Sequence, residues 1–270
     1  MDADPTFISR FSRAVIYSAD DGREIIESAK NSLPLYANKN VTAKSYVVVD
    51  LDRGVTVLEK DSDRLLPIAS MTKLITAIVA KKLIKENESI TIDSKSLSTY
   101  GNEARLREGE KFKLKELLYP LLMVSSNDSA EAIARHYGRA KFISEMNDFV
   151  SSIGAYRTYF KDPSCLSAQN VSTSNDFAII TKYIIKNNPE IFDITLEKSK
   201  TIRTHTWTNT THLLNLDSYA GGKNGYTPEA NRTSLSLFKL GKNKRFFAVI
   251  FLGSSSRDND ILDLLEDAVR

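Results

Sequence analysis

Hydrophobic positions along the chain change period between its ends and its middle. Ser45 to Lys60, SYVVVDLDRGVTVLEK, holds two β-branched runs around Asp52-Arg53-Gly54 and predicts a hairpin. Beyond it, Met71, Leu74, Ile75, Ile78, Val79 and Leu83 fall at i, i+3, i+4, i+7, i+8 and i+12. That is the apolar stripe of a helix starting just past Ser70. Pro67 blocks its extension backwards, and Ser70 is a good N-cap residue. A second stripe, Leu114, Leu117, Leu118, Leu121 and Leu122, ends near Met123-Val124. SSNDS interrupts it, and AEAIARHYG starts another helix with Gly138 as its stop. DPSCLSAQNVSTSND, Asp162 to Asp176, reads as a polar loop leading into the apolar helix FAIITKYII.

The tail returns to β character. NRTSLSLFKL and KRFFAVIFLG flank Gly241-Lys242-Asn243 as a second hairpin, and ILDLLEDAV closes the chain as a short amphipathic helix. Strands at both ends with a helical insert predict a mixed α/β fold: an antiparallel sheet from both termini, flanked by helices, plus a helical lobe. The expected division is an unassigned segment 1–42 and a single domain 43–270. Its sheet lobe covers about 43–68 and 200–270 and its helical lobe about 70–198. No internal repeat, low-complexity tract or linker breaks the chain.

Composition narrows the function classes. At 270 residues and 41% apolar content the chain can bury a substantial core. The net charge of +3 comes from 37 basic and 34 acidic residues spread along the chain, without a basic run, so nucleic acid has no electrostatic footprint here. Cys165 is the only cysteine, which rules out an intrachain disulfide. No segment approaches the ~18 apolar residues of a membrane span, and the acidic start MDADPTF lacks the basic-then-apolar order of a signal peptide.

Three short constellations carry chemistry. Ser70 and Lys73 form S-x-x-K at a helix start, where i and i+3 share a face and a lysine can take the serine's proton. Alone, the pattern reads first as a helix cap and a solvated lysine. Ser236 and Lys239 repeat it within a predicted strand, where the two side chains point to opposite faces and cannot pair. Ser125-Ser126-Asn127 reads as a helix-capping turn, or as a hydroxyl and an amide facing a cleft. Gly221 to Thr227, GGKNGYT, reads as a turn with a surface lysine, or as a strand edge that a substrate backbone can approach. In this order, S-x-x-K, S-x-N and K-[TS]-G form the signature set of penicillin-binding proteins and class A β-lactamases.

PIASMTKLITA, LLMVSSNDSAEAIA, NVSTSNDFAII and GGKNGYTPEANRTSLSL resemble the serine-type D-Ala-D-Ala carboxypeptidases, the low-molecular-mass penicillin-binding proteins, over roughly residues 43–270. The resemblance implies Ser70 as the acylated nucleophile and Lys73 as its base. It implies Ser125 as a proton relay, Asn127 as the amide that holds the substrate carbonyl, and Lys223 as the cation for the terminal carboxylate. The backbone N–H groups of Ser70 and Tyr226 would form the oxyanion hole. Asn224, Gly225, Thr227 and Arg257 would line the substrate site, Arg257 by binding the terminal carboxylate. No metal or cofactor is implied. The implied partners are a peptidoglycan stem peptide ending in D-Ala-D-Ala and β-lactams as covalent inhibitors, with no nucleic acid. The implied location is outside the cytoplasmic membrane, with any targeting or anchoring carried by segments beyond these 270 residues.

Two features depart from the family pattern. The third motif reads Lys223-Asn224-Gly225, with an amide where the family has a hydroxyl, and no β-rich C-terminal domain follows. The function expected is a serine D,D-carboxypeptidase. The alternatives are a D,D-endopeptidase, a class A-like β-lactamase, and a non-catalytic muropeptide or β-lactam binding module. The loop Asp162 to Asp176 contains no glutamate to activate a deacylating water, which argues against the β-lactamase. His136, His205 and His212 lack metal-ligand spacing, Cys165 has no activating context in the sequence, and Trp207 is open between lining the cleft and packing.

Overall fold

The computed structural model describes residues 40–268 apart from 102 and 242, so most of the unassigned segment 1–42 lies outside the described residues. Strands are β1 (Ser45–Asp50), β2 (Val55–Lys60), β3 (Leu66–Pro67), β4 (Ser89–Thr91), β5 (Lys111–Lys113), β6 (Val171–Ser172), β7 (Ser199–Ile202), β8 (His205–Thr208), β9 (Tyr219–Thr227), β10 (Asn231–Leu240) and β11 (Arg245–Ser254). Helices are α1 (Thr72–Leu83), α2 (Leu114–Met123), α3 (Asn127–Tyr137), α4 (Arg139–Ser152), α5 (Ser174–Asn187), α6 (Glu190–Leu196) and α7 (Arg257–Ala268). The main sheet has five antiparallel strands in the order β2-β1-β11-β10-β9, so the first strand pairs with the last, Val48 opposite Val249.

Both faces of this sheet are covered, which explains the unbroken apolar run in SYVVVD. Val47, Val49, Ala248, Ile250 and Leu252 pack into the core shared with the helical lobe. Their neighbours Tyr46, Val48, Phe247, Val249 and Phe251 pack on the other side, against Ile261, Leu262, Leu264 and Leu265 of α7. Alternate residues of one strand thus serve two cores, as the period of two requires. α1 goes beyond its predicted stripe. Thr72 to Ala80 are all buried, because α1 is the axis around which α2, α3 and α4 pack.

The predicted hairpins, the two leucine- and isoleucine-rich helices and the closing helix are all present. Two differences have local causes. Ser70 does not cap α1: it sits inside a 3-10 turn, Ala69–Met71, and α1 begins at Thr72 with no side-chain cap. α3 begins at Asn127 rather than at Ala130, because Ser126 is its N-cap and accepts from Ser129 N at 3.1 Å. The helix α4, the paired short strands β4 and β5 and the small hairpin β7–β8 carried no clear periodic signal.

The start of β1 is fastened to α7 by one buried group. Asp260 accepts from Thr42 N at 2.8 Å and from Thr42 Oγ1 at 2.9 Å. Asp260→Ala leaves both donors of the exposed Thr42 to solvent and is expected to lower stability by about 1 kcal/mol, read as a shift in the urea midpoint. Asp260→Asn keeps an acceptor and is expected to lose roughly half of that.

Candidate active site

Three elements converge where the helical lobe meets the edge strand β9. The 3-10 turn carries Ser70, with Ala69 at φ 47° turning the chain so that the serine faces the cleft. Lys73, in the first turn of α1, is fully buried, and its Nζ lies 3.1 Å from Ser70 Oγ. The turn between α2 and α3 carries Ser125 at φ 60° and is tied by Ser126 N donating to Pro120 O at 3.0 Å. β9 brings in Lys223, whose Nζ donates to Ser125 Oγ at 3.0 Å and to Asn224 O at 2.9 Å.

Desolvation makes Lys73 demand partners. Its Nζ donates to Asn127 Oδ1 at 2.8 Å and to the Ser164 carbonyl, and it touches Cys165 Sγ at 3.3 Å. Asn127 in turn donates to the Tyr100 carbonyl at 2.7 Å, which fixes its amide so that the oxygen faces the lysine. Asn127 and Ser164 thus hold the Lys73 nitrogen against Ser70 Oγ. Lys223 is buried as well. Burial, reinforced by the Lys73 charge, pushes its ammonium down to about 7.

Gly225 sets the distance between strand and nucleophile. A Cβ there would stand 2.7 Å from Ser70 N and 2.7 Å from Thr233 Oγ1, so only glycine lets β9 lie flush against the turn. Thr233 Oγ1 completes the clasp by donating to the Ile68 carbonyl at 3.0 Å. Asn224 Oδ1 accepts from Ser234 Oγ at 2.8 Å on the neighbouring strand. Thr227 Oγ1 accepts from Ala230 N at 3.1 Å, a turn-closing bond. Tyr226 is exposed, its ring 5.6 Å from the Arg232 guanidinium. Arg257 opens α7 and pairs with Asp258 at 3.0 Å.

Ser70, Ser125, Asn127, Lys223, Asn224, Gly225, Tyr226, Thr227 and Arg257 all line one cleft of about 570 Å³, and Lys73 lies beneath its floor. Trp207 does not line it. It is buried, stacks on His205 with centroids 5.7 Å apart, and donates to Ala104 O at 3.0 Å. The three histidines are scattered: His136 pairs with Glu88 at 2.7 Å and His205 with Glu110 at 2.9 Å, while His212 opens a 3-10 turn. Ser236 is buried in β10 and Lys239 is exposed, as their strand setting requires.

Sequence reasoning missed the loop that backs Ser70. Asp162 accepts from Ser164 N at 2.8 Å, Cys165 N at 2.6 Å and Ser167 N at 2.6 Å. This wraps the loop so that the Ser164 carbonyl meets Lys73 and Cys165 Sγ lies 3.1 Å from Ser70 Oγ. The absence of context assigned to Cys165 is therefore corrected. Ser70 and Lys73 stand more than 90 positions earlier, and D-x-S-C carries no short-range pattern that announces them.

The profile described as D-alanyl-D-alanine carboxypeptidase matches residues 30–254. The chain belongs to that family. It is 30% identical over 232 residues to D-alanyl-D-alanine carboxypeptidase DacF of Bacillus subtilis, across 81% of this chain and 59% of that protein, so it spans about three fifths of that relative. It is 31% identical over 225 residues to the D-alanyl-D-alanine endopeptidase of Escherichia coli, across 78% of this chain and 71% of that protein. Among solved structures, a D-alanyl-D-alanine carboxypeptidase of Mycobacterium tuberculosis superposes with a TM-score of 0.79 at 24% identity, covering 87% of this chain and 93% of that one. The carboxypeptidase-family fold accounts for the five-stranded sheet and the helical lobe together.

Two outcomes follow for variants of β9. Gly225→Ala forces β9 away from Ser70 N and is expected to cut covalent labelling by penicillin about a hundredfold or more, with secondary structure by circular dichroism retained. Lys223 holds its proton less tightly folded, at about 7, than the ~10.4 of an unfolded lysine. The unfolded chain thus binds more protons between those values, and stability rises with pH across that window. Lys223→Met removes a buried charge and is expected to gain about 1–3 kcal/mol at pH 6. The gain should shrink towards pH 10, as followed by Tm.

Proposed function

We propose that the chain is a serine D,D-peptidase that removes the terminal D-Ala of peptidoglycan stem peptides through an acyl-enzyme on Ser70. The observation that carries this reading is the pair of contacts Lys73 Nζ to Ser70 Oγ at 3.1 Å and Lys223 Nζ to Ser125 Oγ at 3.0 Å across one cleft. Lys73 takes the Ser70 proton as Oγ attacks the peptide carbonyl. The negative charge that develops on the carbonyl oxygen is met by the Ser70 and Tyr226 N–H groups. Ser125, held by Lys223, hands a proton to the departing D-Ala amine. Water then cleaves the ester and restores Ser70.

The substrate runs antiparallel along β9. Its terminal carboxylate faces Lys223 and Arg257, with the amide of Asn224 and the hydroxyl of Thr227 beside them. Protonated Lys223 favours this carboxylate, so in the free enzyme affinity for it falls as pH rises through about 7. β-lactams are expected to acylate the same serine. A protein of the same fold, penicillin-binding protein D2 of Listeria monocytogenes, has been solved in a cefotaxime-bound form. A reaction on a cell-wall polymer implies a location outside the cytoplasmic membrane. Among the described residues no helix is long and apolar enough to cross one.

A class A-like β-lactamase is disfavoured because both carboxylates of Asp162 to Asp176 are committed, Asp162 to backbone N–H groups and Asp176 to Arg157 N and Thr158 Oγ1. A D,D-endopeptidase would use the same residues, and the Escherichia coli relative carries that name. Fluorescent penicillin should label the wild type covalently and Ser70→Ala not at all; equal labelling of the two refutes the nucleophile. D-Ala release from a D-Ala-D-Ala peptide, set against cleavage of cross-linked muropeptides, separates the exopeptidase from the endopeptidase.

A further inference from the structure

The proposed reaction makes no use of Cys165, yet its sulfur lies 3.1 Å from Ser70 Oγ, 3.3 Å from Lys73 Nζ and 3.9 Å from Asn127 Oδ1. The thiol is buried at the floor of the cleft. Its backbone is held by the Asp162 carboxylate through Cys165 N at 2.6 Å and through Ser164 N and Ser167 N on either side. The loop is in turn bound to α1 by Thr76 Oγ1 donating to the Pro163 carbonyl at 2.6 Å. The sulfur is thereby fixed against the nucleophile.

Hydrolysis of the Ser70 ester requires a water that can reach the acyl carbon and a base together. Two approaches exist. One passes Ser125 and Lys223, the route by which the leaving amine departs. The other comes from the loop side, where a water hydrogen-bonded to Lys73 Nζ would stand beside Ser70 Oγ. Cys165 Sγ occupies that position, at hydrogen-bonding distance from both atoms.

We infer that Cys165 is a specificity-determining residue that closes the loop side of the acyl-enzyme to water. The inference rests on the acyl-enzyme reading above. Attack is then confined to the Ser125 side, and the fate of the ester depends on its leaving group. After a peptide reacts, free D-Ala diffuses away and water enters behind it. After a β-lactam reacts, the ring-opened amine stays tethered to the acyl group and blocks the same side. Cys165 thus leaves the peptide ester open to hydrolysis from the Ser125 side and makes the β-lactam ester long-lived. Where the loop side is open, the water oxygen bonds to the acyl carbon while the bond from that carbon to Ser70 Oγ breaks. One water proton passes to Lys73 and on to Ser70 Oγ, leaving a carboxylic acid and a free serine.

Cys165→Gly is the direct test, because φ is 98° at this position and glycine takes that conformation without strain. Wild type, Cys165→Gly and Cys165→Ser are labelled with fluorescent penicillin and chased with unlabelled drug, and acylation is timed separately. In Cys165→Gly the lifetime of the labelled ester, relative to any change in acylation rate, is expected to fall about tenfold or more. Cys165→Ser keeps the position filled and is expected to stay within about threefold of the wild type. An unchanged or longer lifetime in Cys165→Gly overturns the inference, as do acylation and deacylation that change in step, or a Cys165→Ser ester as short-lived as that of Cys165→Gly. Each of those results leaves the acyl-enzyme reading standing. A wild type that takes no label overturns the acyl-enzyme reading, and this inference with it.

Discussion

The full burial of the Lys73 amine constrains everything around the cleft. A lysine nitrogen taken out of water without partners costs several kcal/mol, so the fold must deliver hydrogen-bond acceptors to it. They come from separate stretches of chain: Asn127 from the start of α3 and Ser164 from the loop shaped by Asp162. Each of these brings a functional neighbour with it. The turn before Asn127 sets Ser125 opposite Lys223, and the residue after Ser164 sets a thiol on Ser70. Satisfying one buried nitrogen thus goes far towards assembling the site.

The second constraint is the sheet that holds β9 in place. Because both faces are covered by apolar packing, its strands cannot slip by one residue without exchanging two cores. That register keeps Gly225 level with Ser70 N and lets Lys223 reach under β9 to Ser125. Two buried lysines sharing one cleft repel each other, and the cost is borne by this rigid frame. A site of this kind trades stability for a prepared electrostatic environment.

Much of this was legible in the chain. Hairpins announced themselves through β-branched runs around Asp52-Arg53-Gly54 and Gly241-Lys242-Asn243, and α1 through its stripe, because both signals are local. Ser70, Lys73, Ser125, Asn127 and Lys223 stood out through their order, which survives without any knowledge of distance. Ala69, Ser125 and Cys165, at φ 47°, 60° and 98°, did not: nothing in the residue types marks them as left-handed. Asp162 and the Ser164 carbonyl were invisible for a different reason. Their role depends on backbone groups, and a backbone carbonyl has no letter in a sequence. Ser70 as a helix cap was reasonable by composition and wrong by geometry, since the 3-10 turn intervenes.

Placing β1 beside β11 has a consequence for how the chain is made. Val48 cannot meet Val249 until some two hundred further residues have left the ribosome, so the central ladder of the sheet is among the last contacts available. The intervening helices can collect around α1 long before that. During this interval β1 presents both of its apolar faces, along with unpaired backbone groups, to whatever lies nearby. The fold therefore cannot close around its own sheet until the last strand arrives.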